Sequence, residues 1–120
     1  MKIAVSSSAD DINAVVDSRF GRAPFFIIAD TESGEWSALA NTQNVQAAQG
    51  AGIQSAEHVV NSGAEAVLSG HCGPKAFRAL TAGNVKIYVC VDGLVSEAIE
   101  RFKKGELTAT DAADVEGHWV

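Results

Sequence analysis

From Ile53 onward the chain alternates between two hydrophobic periods, and that alternation constrains the fold more than any other feature. Ile53, Ala56, Val59, Val60 and Ala64 recur at the spacing of one helix face, with Gly63 placed as its C-cap. Ala66-Val67-Leu68 is then an apolar run of strand size. Pro74 suits the first position of a second helix, which has Phe77, Ala79 and Leu80 inward and Gly83 as its stop. Val85 to Val91 reads as another strand. Leu94, Val95, Ala98, Ile99 and Phe102 make a third helical face, ending at Gly105. Strands separated by helices lie parallel and are joined by right-handed crossovers.

The first half reads differently. Residues 2–6 (KIAVS) form a strand that stops in Ser6-Ser7-Ser8, and a polar stretch runs on to Ser18. Phe25 to Ala29 and Glu35 to Ala40 flank Thr31-Glu32-Ser33-Gly34, which is hairpin chemistry over residues 24–40. Residues 41–50 (NTQNVQAAQG) have no period and read as a mobile loop. The order is β, β-hairpin, α, β, α, β, α: a three-layer α/β domain on a mixed sheet of about five strands. The domain is expected over 1–107, with a loose tail at 108–120 that carries Trp119.

Composition narrows the partners. The 120 residues make one domain's worth of chain, 47% hydrophobic and 20% charged, as in ordinary globular proteins. The net charge is −6, and the nine Lys and Arg are scattered, apart from Arg101, Lys103 and Lys104 near a helix end. That distribution excludes a nucleic-acid footprint. No apolar run reaches transmembrane length, and Met1-Lys2-Ile3 enters a strand at once, without the pattern of a signal peptide. The expectation is a cytoplasmic protein with no membrane partner. Cys72 and Cys90 then read as free thiols or ligands rather than a disulfide.

In open α/β sheets, ligands collect at the carboxyl ends of parallel strands. Ser6-Ser7-Ser8, Gly70-His71-Cys72-Gly73 and Cys90-Val91-Asp92-Gly93 fall there if their strands are neighbours. Cys72 admits two readings. At an exposed helix N-terminus its thiolate is favoured, and with His71 beside it the pair suits soft metals or iron–sulfur species. Alternatively Cys72 is a small buried hydrophobe, Gly70 and Gly73 serve a turn, and His71 faces solvent. Cys90, closing a core strand, favours burial more strongly. In Asp17–Phe26 (DSRFGRAPFF), Arg19 and Arg22 flank Phe20-Gly21, either as planar donors for an anion or as ion-pair partners of Asp17 or Asp30. In the second case Phe20 plugs the core and Gly21 takes a positive φ. Gly50 and Gly52 open a helix, but the Walker lysine is absent and Ser55 stands where GxGxxG needs a third glycine, so close packing is expected. His58 falls on a polar helix face and His118 in the tail. No nucleophile elbow or carboxylate pair is present, so no enzyme is expected.

The ordered segments MKIAVSS, DSRFGRAPFFIIAD, GAGIQSAEHV, AVLSGHCGPKAFRAL and VKIYVCVDGLVSEAIERFKKGEL resemble the dinitrogenase iron–molybdenum cofactor biosynthesis family over about residues 1–107. This group includes NifX, NafY and the C-terminal domain of NifB. The resemblance implies a ribonuclease H-like fold without catalytic activity. It also implies a carrier for an iron–sulfur or molybdenum-containing metal–sulfur cluster, apo as purified, that serves cluster-donating and cluster-accepting proteins. The implied cluster rim consists of Arg19, Phe20, Gly21 and Arg22 together with Gly70, His71, Cys72 and Gly73, with Cys72 and His71 as metal ligands. Cofactor-carrying relatives often have a histidine just before the FG pair, where this chain has Arg19. The competing reading is a metal-free regulatory module that binds a small molecule or a partner. It is favoured if Cys72 is buried and His71 points away from the FG loop.

Overall fold

The computed structural model describes residues 1–111. The sheet has five strands: β1 (Lys2–Ser7), β2 (Phe25–Asp30), β3 (Trp36–Ala40), β4 (Ala66–Leu68) and β5 (Lys86–Tyr88). Their order is β3-β2-β1-β4-β5, with β1–β2 and β2–β3 antiparallel and β1–β4 and β4–β5 parallel. Three helices follow the expected faces: α1 (Ala51–Asn61), α2 (Pro74–Ala82) and α3 (Val95–Lys103). The mixed sheet and the α/β class are therefore as the alternating periods require.

Each buried strand sends successive side chains to opposite faces, and the core divides accordingly. Ala4, Phe26, Val67 and Ile87 pack with Ala56 and Val59 of α1 and Ala76 and Leu80 of α2. Ile3, Val5, Ile27, Ala66 and Leu68 pack with Val95, Ala98 and Ile99 of α3. Two helices cover one face and a third covers the other. Both crossovers, β1 to β4 through α1 and β4 to β5 through α2, thus place their helices on the same side. The central β1 is the most enclosed strand, with Ile3, Ala4 and Val5 at 0% exposure.

Several details depart from the periodic reading. On α1 the buried positions are Gly52, Ser55, Ala56 and Val59, while Ile53 is only half-buried. On α2, Ala76 and Leu80 are buried, while Phe77 and Ala79 rest against the rim of the core. β5 stops at Tyr88, well short of Val91, because Cys90 turns into the left-handed region (φ 62). Past α3, Thr110 N–H donates to Ile87 O (2.8 Å), so the chain runs along the free edge of β5 to that point. The rest of the expected loose tail, residues 112–120 with His118 and Trp119, lies outside the described residues.

The β2–β3 hairpin turn is organised by Asp30. Its carboxylate accepts the N–H groups of Glu32 (2.8 Å) and Ser33 (3.3 Å), and Gly34 takes φ 79 to close the turn. These backbone donors hold the Asp30 carboxyl below its ordinary value, aided by the N-terminal ammonium 3.7 Å away.

Candidate functional site: a cationic rim at the carboxyl ends of the strands

The parallel strands β1, β4 and β5 all end on one side of the molecule, and β3 ends there too. It follows that α1, α2 and α3 all begin on that side. The FG loop and the GHCG turn meet on this rim through their main chains. Phe20 N–H donates to His71 O (3.0 Å), and Arg19 and His71 form a parallel bridge. Gly70 N–H reaches Asp17 O at 3.4 Å. On the other side Cys90 N–H donates to Gly70 O (2.8 Å) and Val91 N–H to Ser69 O (3.1 Å). The middle turn is zipped between its two neighbours.

Gly70 is required by that zipper. A Cβ there would lie 2.6 Å from both Cα and O of Ser18, which are backbone atoms that cannot move aside. Of the serines that the sequence placed on the rim, Ser6 serves the same closure, Ser7 donates its hydroxyl to Ala9 O, and Ser8 is exposed. Ser6 Oγ donates to Asp17 O (3.0 Å) and lies 2.9 Å from Ser69 Oγ, and Ser6, Ser7 and Ser69 are all buried. Their hydroxyls are consumed internally and offer nothing to a ligand.

Of the two readings open for Cys72 the structure takes the buried one, and it reverses the expectation for Cys90. Cys72 is 1% exposed and packs in the α1/α2 core with Phe20, its sulfur directed at Gly73 O (3.7 Å). The exposed-thiolate reading of Cys72 is therefore corrected: the chain turns this side chain inward as Gly73 and Pro74 open α2. Cys90, expected to be buried, is exposed, because the left-handed kink after β5 points it away from the sheet. His71 is half-exposed beside the FG loop.

Phe20 plugs the core, with its ring 5.2 Å from that of Phe26. Gly21 is buried in a single 3-10 turn (Phe20–Arg22) and does not take a positive φ. Its carbonyl accepts Ser55 Oγ (3.4 Å) of α1. Ser55 also accepts from Asn41 Nδ2 (2.9 Å) and Gln43 Nε2 (3.3 Å), while Asn41 Nδ2 donates to Ala23 O (2.8 Å). This small polar network fixes the FG turn to the start of α1. His58, as expected, is used elsewhere, with Nε2 2.9 Å from Thr42 O.

Arg19 and Arg22 are exposed, and neither pairs with Asp17 or Asp30. The Asp17 carboxylate instead accepts the Arg19 main-chain N–H (2.9 Å). Two cations missed in the sequence join them. Lys75 and Arg78 are three apart on α2, hence on one face, and they line a groove of about 540 Å³ with Gly50 and Ile53 of α1. A second groove, about 410 Å³, lies between Arg22, Asn44, Gly50 and Gln54. Neither groove is lined by a carboxylate. Among the described residues, none of Arg19, Arg22, Lys75 and Arg78 forms an ion pair.

The helix ends add to this field. Gly50 and Gly73, the N-caps of α1 and α2, offer no side-chain acceptor, and neither first turn contains an acidic residue. Gly50 is exposed, whereas Gly73 is buried and Pro74 after it carries no N–H, so it is the α1 end that faces solvent. At α3, by contrast, Glu97 Oε1 accepts the Leu94 N–H (2.9 Å). A hollow of about 550 Å³ along α3 is lined by both signs of charge, Asp92, Glu97 and Glu100 with Arg101 and Lys104, and so selects no anion. No group of three or more His, Cys, Asp and Glu is poised to cage a metal ion among the described residues. The side chains gathered here suit an anion held by charge better than a cation held by ligands.

The profile described as dinitrogenase iron-molybdenum cofactor matches residues 1–105. An uncharacterised protein of Methanocaldococcus jannaschii is 28% identical over 109 residues, 89% of each chain. The apo form of the orange protein from Desulfovibrio gigas superposes with a TM-score of 0.89 at 34% identity, covering 95% of this chain and 96% of that one. A putative NifB protein from Thermotoga gives a TM-score of 0.80, also at 34% identity, covering 97% of this chain and 98% of that one. With the family's pattern spanning nearly the whole described fold, the chain belongs to the dinitrogenase iron–molybdenum cofactor family.

Proposed function

We propose that this protein is a non-enzymatic carrier that holds an anionic metal–sulfur cluster, of iron–sulfur or molybdenum–iron–sulfur type, on its cationic rim. It would take that cargo from a donor protein and release it to an acceptor during metallocofactor assembly. One observation carries the reading: in a chain of net charge −6, Arg22, Lys75 and Arg78, which form no ion pair among the described residues, line two grooves that share Gly50, the N-cap of α1. Such a surface attracts a cluster anion and offsets the cost of desolvating it, where an acidic patch would repel it. Phe20, Gly21, Gly70 and Gly73 shape the rim in this reading, Arg19 and Arg22 supply charge, and His71 is the soft donor at its edge. Cys72 acts as a ligand only if the turn opens, since its sulfur is enclosed by the core.

The test is anaerobic reconstitution with iron and sulfide, with and without molybdate, followed by metal analysis and visible absorption. Stoichiometric chromophore in the wild type is expected. Removing charge in Lys75→Gln/Arg78→Gln should weaken retention about tenfold or more, and added salt should mimic that loss. His71→Ala and Cys72→Ala separate covalent ligation from charge: loss of chromophore in either assigns a ligand. No uptake by the wild type would sink the carrier reading.

The burial of Cys72 favours a second reading, a metal-free module that binds a small anion or a partner at the same rim. The main-chain bridge between Arg19 and His71 is compatible with that reading too. Binding of inorganic anions without any metal–sulfide uptake would select it.

A further inference from the structure

The chain between β3 and α1 forms a strap that walls both cationic grooves. No residue from Thr42 to Gly50 is buried, and Val45 is 90% exposed, so apolar burial does not hold the strap in place. Side chains of α1 do: His58 meets Thr42 O and Ser55 meets Gln43 at its start, and Gln54 takes residues 44–49. Gln54 Oε1 accepts the Asn44 N–H (2.7 Å), and Gln54 Nε2 donates to Asn44 O (3.1 Å) and to Gln49 O (2.8 Å). The carboxamide thus pairs with Asn44 as a second strand would and reaches the far end of the strap as well. The other hydrogen bonds of residues 44–49 are internal: Ala47 N–H to Asn44 O (3.1 Å) and Gln46 N–H to Asn44 Oδ1 (2.9 Å).

The strap's position matters because of what stands on either side. Arg22 lies across one groove from Asn44, Val45 and Gln49, and Lys75 and Arg78 lie across the other from Ala48 and Gln49. We propose that Gln54 is a positioning residue whose carboxamide latches the 44–49 strap, making that strap the movable wall of the anion-binding rim. The inference rests on the carrier reading for what the wall encloses. All three latch bonds are exposed to water, which competes for the same donors and acceptors, so the latch opens locally without unfolding the domain. Latched, the strap narrows both grooves around a bound anion. Released, it widens them and lets the anion leave.

Two measurements on Gln54→Ala and Gln54→Met test this, the second variant keeping most of the side-chain bulk. Amide exchange reports the latch, and titration with tetrathiomolybdate, a compact metal–sulfide dianion, reports the wall. The expected result is exchange faster by about tenfold or more at the Asn44 amide, the N–H that the latch holds, an unchanged thermal midpoint, and anion affinity weaker by about tenfold. Unchanged exchange at Asn44 in both variants overturns the latch. Faster exchange with unchanged affinity overturns the wall. If the wild type fails to bind tetrathiomolybdate, the carrier reading and the wall fall together, while the exchange data still decide the latch.

Discussion

Gly70 and the two cysteines show how single residues set this rim. A methyl group at position 70 would press on the Ser18 backbone, and relieving it means parting the zipper between the FG loop and the GHCG turn. Gly70→Ala should cost roughly 1–3 kcal/mol, the usual range for overpacking a tight site, measured as a lower urea midpoint with little change in slope. The cysteines make a separate prediction. An aromatic disulfide reagent should titrate Cys90 readily in the native protein and reach Cys72 only after denaturant is added. Two fast thiols in the folded state would contradict the core position of Cys72. That position was one of two readings open to the sequence, since cysteine is both a core residue and a ligand. Cys90 was misjudged for a different reason. A left-handed kink at a non-glycine residue leaves no local signature, and this one exists to let Cys90 N–H meet Gly70 O.

At the scale of elements, hydrophobic period told helices from strands, and turn chemistry placed the hairpin. Asp30 gives that hairpin a pH signature. Its folded carboxyl titrates below its unfolded value, so its contribution is complete above the ordinary carboxylate range and is lost as pH falls through the lowered value. The stability gap between wild type and Asp30→Asn should therefore be constant from neutral pH down to about 5 and close below about 4. Thermal unfolding across that range checks it, and a gap that persists at the acid end would rule out the turn bonds as its source. Period placed α1 and its Ala56 and Val59 but missed the rest of its inward face, Gly52 and Ser55, a glycine and a polar residue that hydropathy assigns to the outside. Ser55 is buried because Gly21, Asn41 and Gln43 supply its partners, and those partners come from other elements. Lys75 and Arg78 stayed unremarkable for the same reason. Only the packing of α1 on α2 brings them beside Gly50.

For the molecule as a whole, the alternating order of strands and helices was enough to call a mixed α/β sheet, and the shared direction of the parallel strands then fixed which end collects the loops. What order along the chain could not give is the convergence of charge, since Arg19, Arg22, Lys75 and Arg78 come from segments more than fifty residues apart. The fold gathers them by starting every helix where the parallel strands stop. That single polarity has a consequence for traffic. If cargo sits on this rim, donor and acceptor must address the same small end of a domain only 37 × 26 × 23 Å across. Both would compete for it. Handover would then be a queue at one doorway, in which the incoming partner waits for the outgoing one to leave, and excess apo-acceptor would slow loading as well as speed delivery.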